Sequence, residues 1–112
     1  MLYEAALRTC AGGPEVMRGQ LQRLLDAGSL RNVSVQVLPF AAGAHSGLSG
    51  PFVLVETPDH EHYGYVEGQG TYVLHSDGPT VSSMEQLWGH LRMHALNIED
   101  SAQLIRKVMR EL

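Results

Sequence analysis

Histidine is the one residue type whose abundance here suggests chemistry, because six occur among 112 residues. His60 and His62 are two positions apart, so their imidazoles point the same way on an extended segment. His90 and His94 are four residues apart and neighbour each other on a helix. Each pair offers two ligands, whereas a zinc site takes three or four. We therefore predict no metal site and no cofactor.

Catalytic motifs are also missing by inspection of the sequence. The GLSG segment at 47–50 is not the G-x-S-x-G nucleophile elbow, and the GQG segment at 68–70 lacks the third glycine of a dinucleotide fingerprint. Cys10 is the single cysteine, and a bystander thiol is far commoner than a nucleophile. The sequence predicts no catalytic residue.

Four polar residues stand out by their positions. Glu4 and Glu67 interrupt predicted strands, and Gln20 interrupts an apolar helix stripe. His45 lies in the longest predicted loop. We expect these residues to line a polar pocket or partner groove at one sheet edge. The alternative is that both glutamates face water while Gln20 binds backbone groups.

The first half of the chain predicts a strand, a helix and a second strand. Alternation over residues 2–7 favours a strand, with a helical turn as the alternative because alanine and glutamate are poor strand formers. A helix is expected from Pro14, its first residue, to Gly28 as the residue that stops it. Residues 33–38 alternate as a strand.

The central part of the chain predicts a long loop and three strands. Residues 39–51 are rich in glycine and small residues, and loops of this length are often functional. Residues 52–55 are continuously apolar, which predicts a central strand covered on both faces. A strand at 63–67, with Tyr63, Tyr65 and Glu67 on one face, and a strand at 71–75 flank a tight hairpin.

Two helices end the chain. Ser82 and Glu85 fit a capping box for the first of them. Asn97 is the expected cap of the second, with Glu99 and Asp100 in its first turn. A DNA-reading helix uses its N-terminal part, and these carboxylates would repel phosphates, so we reject a helix-turn-helix here.

Taken together, these elements predict an α+β fold. One βαβ crossover leads into an antiparallel meander, about five strands forming one mixed sheet, with two C-terminal helices. A length of 112 residues is that of one domain.

Charge and composition exclude several classes of protein. Eight basic residues stand against 12 acidic ones, a formal net charge of −4, which argues against gripping a nucleic-acid backbone. A single cysteine excludes an internal disulfide and suits a reducing compartment. No apolar run approaches the ~20 residues of a membrane span. We expect a cytoplasmic protein without membrane contact.

Several segments, read in one register over the whole chain, resemble a known family. They are residues 4–8, 12–17 with 20–21, 32–39, 43–45, 50–52, 65–68 and the closing helices. The chain resembles the C-terminal domain of unknown function of actinobacterial WhiJ-like helix-turn-helix regulators of the Cro/C1 type, which are antitoxin-like. The resemblance implies a regulatory domain that dimerises, binds a small cognate protein or senses a ligand. DNA would be bound by an N-terminal module absent from this chain.

Three functions remain open at this point. The first is a non-catalytic interaction domain that binds a small cognate protein or a second copy, with no direct contact to nucleic acid. The second is a small-molecule sensor around the loop at 39–51, with His45, Tyr63 and Tyr65 as pocket walls. The third is an unrecognised hydrolase that uses His45 and Glu67 as acid and base.

Overall fold

The computed structural model describes residues 1–42, 50–68 and 70–112, which form two compact units. The described residues of the first unit are 1–42 and 94–112, and those of the second are 50–68 and 70–93. In chain order the elements are β1 (Leu2–Tyr3), α1 (Glu4–Arg8), α2 (Pro14–Gly28), β2 (Val37–Leu38), a 3-10 turn (Phe40–Ala42), β3 (Phe52–Glu56), β4 (His62–Gly68), β5 (Thr71–His75), α3 (Gly78–His94) and α4 (Ile98–Arg110).

The first unit contains the predicted βαβ arrangement. Strand β1 pairs in parallel with β2, and α1 and α2 lie between them in the chain. Both strands have only two residues, so the longer strands expected at 2–7 and 33–38 are wrong. A helix begins at Glu4 because the following alanines favour helical over extended backbone.

The outer edge of β2 explains why the predicted five-stranded sheet is wrong. The Val37 carbonyl accepts a hydrogen bond from Leu96 N (2.9 Å), and Val37 N donates to Ser101 Oγ (2.9 Å). The Ser101 hydroxyl in turn donates to the Leu96 carbonyl (3.3 Å). These contacts satisfy the Val37 backbone groups that face away from β1. The sheet therefore ends at two strands, and β3–β5 form a separate three-stranded sheet.

The core of the first unit lies between its helices and β2. Its buried side chains are Leu7, Met17, Leu21, Val37, Ile105 and Val108. The helical spacing of Met17 and Leu21 on α2, and of Ile105 and Val108 on α4, predicts this burial.

Four sequence signals concern the ends of α2 and α4, and three of them are confirmed. Pro14 is the first residue of α2, and Asn97 caps α4 by accepting from Asp100 N (2.7 Å). The acidic first turn of α4 is likewise present. Gly28, however, is the last helical residue and Ser29 follows in a right-handed conformation, so the expected helix-stopping role of Gly28 is wrong.

The second unit is an antiparallel sheet of order β3-β4-β5, followed by α3. The predicted β4–β5 hairpin is confirmed. Strand β3 is an edge strand rather than a central one, and Val53 and Val55 are 51% and 47% exposed. The prediction failed because a continuous apolar run does not show which face is covered.

Helix α3 begins four residues before the predicted capping box. Asp77 Oδ2 accepts a hydrogen bond from Thr80 N (3.0 Å), and the helix starts at Gly78. Ser82 and Glu85 therefore lie inside α3, because Asp77 supplies an equally good cap earlier in the chain. Among the described residues, no helix is long and apolar enough to cross a membrane.

Candidate functional site

One face of the three-stranded sheet carries three of the residues singled out in the sequence. Alternation along β4 places Tyr63, Tyr65 and Glu67 on the same face. The opposite face carries Gly64, where an added Cβ would overlap the end of the Met84 side chain of α3. Helix α3 therefore covers the Gly64 face and leaves the tyrosine face open.

Cross-strand pairing adds four apolar side chains to that face. Val53 and Leu74 are the partners of Tyr65, Val55 is the partner of Tyr63, and Tyr72 is the partner of Glu67. Tyr72 is 68% exposed and Leu74 is 64% exposed. We call this surface the open face; its residues are Val53, Val55, Tyr63, Tyr65, Glu67, Tyr72 and Leu74.

Two aromatic rings on the open face hold each other in place. Tyr65 and Tyr72 lie diagonally across β4 and β5 with their ring centroids 6.3 Å apart and their planes 20° apart. Diagonal cross-strand pairs of this kind stabilise a sheet and fix side-chain orientation. The open face thus presents an ordered aromatic surface, which lowers the entropy lost when another molecule covers it.

Carboxylates lie at both ends of the open face along β4. Glu67 is the next-to-last residue of β4, and Glu61 directly precedes His62, the first residue of β4. The Tyr63 hydroxyl donates to Glu61 Oε2 over 2.6 Å, and this hydrogen bond to a negative group raises the pKa of Tyr63. The centre of the face is therefore apolar and its two ends are acidic.

The described residues of the second unit are acidic as a whole. Six carboxylates stand against one cation there: Glu56, Asp59, Glu61, Glu67, Asp77 and Glu85 against Arg92. Arg92 lies on α3, where its guanidinium is 5.9 Å from the Trp88 ring centroid. Its position on α3 places it away from the open face.

Glu4 and Gln20 belong to the first unit. Glu4 is buried, its Oε1 accepting from Phe40 N (2.9 Å) and its Oε2 from Arg8 Nε (2.8 Å). Burial alone raises the pKa of Glu4, but the hydrogen bonds from Phe40 and Arg8 outweigh it and leave that pKa below its ordinary value. Arg8 also bonds Glu111 Oε2 (2.9 Å). Glu4 thus links α1 to the 3-10 turn, while Gln20 is exposed on α2.

His45 lies outside the described residues, as does most of the loop predicted at 39–51. A small cavity of about 230 Å³ adjoins that loop and is lined by Gly50, Phe52, Val66 and Met84 among others. Drug-sized ligands occupy pockets of roughly 300–1,000 Å³. The described part of this region therefore offers a sensor little enclosed space.

The histidine pair at the β3–β4 turn contacts carboxylates. His60 Nδ1 lies 3.0 Å from Glu56 Oε2. His62 Nδ1 lies 2.9 Å from Glu85 Oε1, and His62 Nε2 lies 3.3 Å from Glu56 Oε1. These ring nitrogens point at carboxylate oxygens, and Glu56 contacts both histidines. Within the described ranges, no group of three or more histidine, cysteine or acidic side chains is arranged to hold a metal ion.

The structure therefore groups Tyr63, Tyr65 and Glu67 and adds residues that the sequence analysis missed. The sequence predicts Val53 and Val55 in a strand covered on both faces, because their neighbours Phe52 and Leu54 are equally apolar and no polar residue marks the open side. Tyr72 and Leu74 likewise lie on either side of the apolar Val73 on the returning strand.

Comparison with known proteins gives a family match. Residues 1–107 match a family model described as "Domain of unknown function (DUF5753)". No curated protein and no solved structure gives a significant match to the chain.

Proposed function

The chain belongs to the DUF5753 family of domains of unknown function, and we propose that it is a non-catalytic protein-interaction domain whose open face binds a partner protein. The observation that carries this proposal is the open face itself. It joins exposed apolar side chains on three adjacent strands, with Tyr72 and Leu74 the most exposed among them. Contiguous apolar surface with ordered aromatic rings is typical of protein-protein contacts.

The biological setting follows from the resemblance to WhiJ-like regulators. The domain would be the regulatory part of an antitoxin-like, cytoplasmic transcriptional regulator and would bind a small cognate protein, a second copy, or both. DNA would be bound by a helix-turn-helix module outside this chain. The net charge of −4 supports that division, because phosphate backbones attract basic surfaces.

Two observations favour binding over catalysis in the part of the chain that the structure describes. The ring nitrogens of His60 and His62 contact carboxylates and no nucleophile. Glu67, the acid or base of the hydrolase alternative, is exposed and borders the small cavity beside the loop, where none of the other described lining residues is an acid, a base or a nucleophile. General acid-base chemistry needs the group within hydrogen-bond reach of a held substrate.

The proposal is tested by comparing three versions of the chain as bait for cell extract: the unchanged chain, the double variant Tyr72→Thr/Leu74→Thr, and Met93→Gln. Threonine keeps the strand preference of both positions while removing most of the apolar area. Met93 is 80% exposed on α3, away from the open face, so its variant removes exposed apolar surface elsewhere. Circular dichroism checks that all three remain folded.

A protein retained by the unchanged chain is then purified and its affinity for each version is measured. We expect the double variant to bind about 30-fold or more weakly, because anchor residues at interfaces contribute about 2 kcal/mol or more. Met93→Gln should bind like the unchanged chain. Equal affinity for all three versions would contradict the proposal, as would a chain that captures no protein and does not associate with itself.

A further inference from the structure

The charge pattern of the open face points to the kind of partner it takes, and we propose that it binds a basic amphipathic helix of another protein. The apolar side of that helix would cover Val53, Tyr65 and Leu74. Its lysine or arginine side chains would reach Glu61 at one end of the face and Glu67 at the other. This inference rests on the proposed function and adds the chemistry of the partner.

The spacing of the two carboxylates sets the length of the helix. Glu61 and Glu67 are six positions apart along an extended segment, since Thr57 N still donates to the Glu61 carbonyl beside β4. Six residues of strand span about 20 Å. A helix rises 1.5 Å per residue with 3.6 residues per turn, so two cationic positions on one side of it that match this span lie about 14 residues apart. Such a helix has about four turns, enough to cover the open face along the strands.

The layer structure of this unit favours a helix over a further strand. Helix α3 already covers the other face of the sheet, where Met84 lies against Gly64. A sheet face with exposed apolar residues is commonly covered by a helical layer. A strand would instead pair at an edge and leave Tyr65, Tyr72 and Leu74 exposed.

Charge argues against a second copy of this chain as the occupant. A second open face would bring two further carboxylates against Glu61 and Glu67, and like charges at an interface are unfavourable. The chain does have a helix with a basic end, α4, which carries Arg106, Lys107 and Arg110. Its apolar side, however, is buried in its own core through Ile105 and Val108.

The acidic ends should also speed association. Opposite charges at the rim of an interface steer the encounter and lose strength as salt screens them. The Tyr65 and Tyr72 rings offer an additional contact, because cations bind the faces of aromatic rings. The apolar centre, the acidic ends and the exposed aromatic rings of the open face together predict that it binds a basic segment. Salt should weaken this binding.

The test uses synthetic helical peptides of about 20 residues, long enough for the required span. One carries leucine along one side with two lysines about 14 positions apart; the others replace these lysines by glutamine or by glutamate. Binding to the full chain is measured by fluorescence anisotropy, and amide shifts of the isotope-labelled chain locate the peptide. The chain variants are Glu61→Gln/Glu67→Gln and the matched Glu56→Gln/Glu85→Gln, which removes two charges beside His62 on the α3 side.

We expect the lysine peptide to bind on β3–β5 and to lose affinity as salt rises. Glu61→Gln/Glu67→Gln should weaken binding of the lysine peptide about tenfold. The double variant removes two exposed ion pairs, and each contributes at most about fivefold to the affinity. Glu56→Gln/Glu85→Gln should change it by less than about twofold, since those carboxylates lie on the other side of the sheet. The glutamate peptide should bind least.

Three results would overturn the inference. If all peptides bind equally and Glu61→Gln/Glu67→Gln has no effect, the charge argument fails while binding at the open face stands. If the lysine peptide binds Tyr72→Thr/Leu74→Thr as well as the unchanged chain, the open face is not its site, and the proposed function fails as well. If no peptide binds, or the chain occupies its own open face as a dimer, a basic helix is not the occupant.

Discussion

Replacing Ser101 with alanine should lower the free energy of unfolding by about 2 kcal/mol, because it leaves a buried backbone donor without an acceptor. Ser101 is fully buried, and its hydroxyl accepts from Val37 N while donating to the Leu96 carbonyl. The methyl group of alanine does neither. Urea denaturation followed by circular dichroism measures the effect. Fluorescence is unsuitable because the single tryptophan, Trp88, lies in the other unit.

Gln103→Ala is the matched control for that change. Gln103 is exposed on α4 in the same unit as Ser101, so the substitution brings a gain in helix propensity without removing a buried hydrogen bond. We expect it to leave stability unchanged or slightly higher. If Ser101→Ala is no more destabilising than Gln103→Ala, the Ser101 hydroxyl does not stabilise the edge of β2.

Leu21→Ala should lower the free energy of unfolding by about 3 kcal/mol, the typical cost of a cavity left by a buried leucine. Leu21 is fully buried on α2, in the cluster that also contains Leu7, Val37 and Ile105. The surrounding helices and strand restrict how far the site can collapse. The same urea titration gives the value.

Leu30→Ala provides the comparison for the core variant. Leu30 is 56% exposed just after α2, so truncating it removes little buried surface. We expect a change of less than about 0.5 kcal/mol. A Leu21→Ala chain as stable as the Leu30→Ala chain would contradict the assignment of this core.

Local signals predicted the elements whose causes are local. Pro14 starts α2 and Asn97 caps α4, since both act through the backbone within one helical turn. The β4–β5 hairpin follows from two short runs rich in tyrosine and valine separated by the glycines at 68 and 70. These features need no knowledge of distant residues.

Contacts between residues far apart in the chain determine features of the fold that the sequence did not predict. The width of the first sheet depends on Leu96 and Ser101, which are about 60 residues from Val37 in the chain and occupy its free edge. The residues next to Val37 in the sequence do not indicate that Leu96 and Ser101 pair with its backbone. Likewise, the two-residue length of β1 reflects helix formation by Glu4 and the alanines after it, which the alternation over 2–7 concealed.

The sequence predicted the β4 residues of the candidate site but not those of β3 and β5. Alternation correctly grouped Tyr63, Tyr65 and Glu67 on one strand face. Which face α3 covers could not be read from β4 alone, because it depends on Met84 packing against Gly64. Once that packing is known, pairing brings the exposed side chains of β3 and β5 to the same surface.

Position-resolved nitration of the tyrosines, free and in complex with the captured partner, locates the binding surface. Tyr72 is exposed on the open face, whereas Tyr3 lies in the other unit, edge-on to Phe40 with centroids 5.4 Å apart. Mass spectrometry of both preparations should show Tyr72 protected by the partner and Tyr3 unchanged. Nitration of Tyr72 to the same extent in the free and bound chain would place the partner elsewhere and contradict the open face as the binding site.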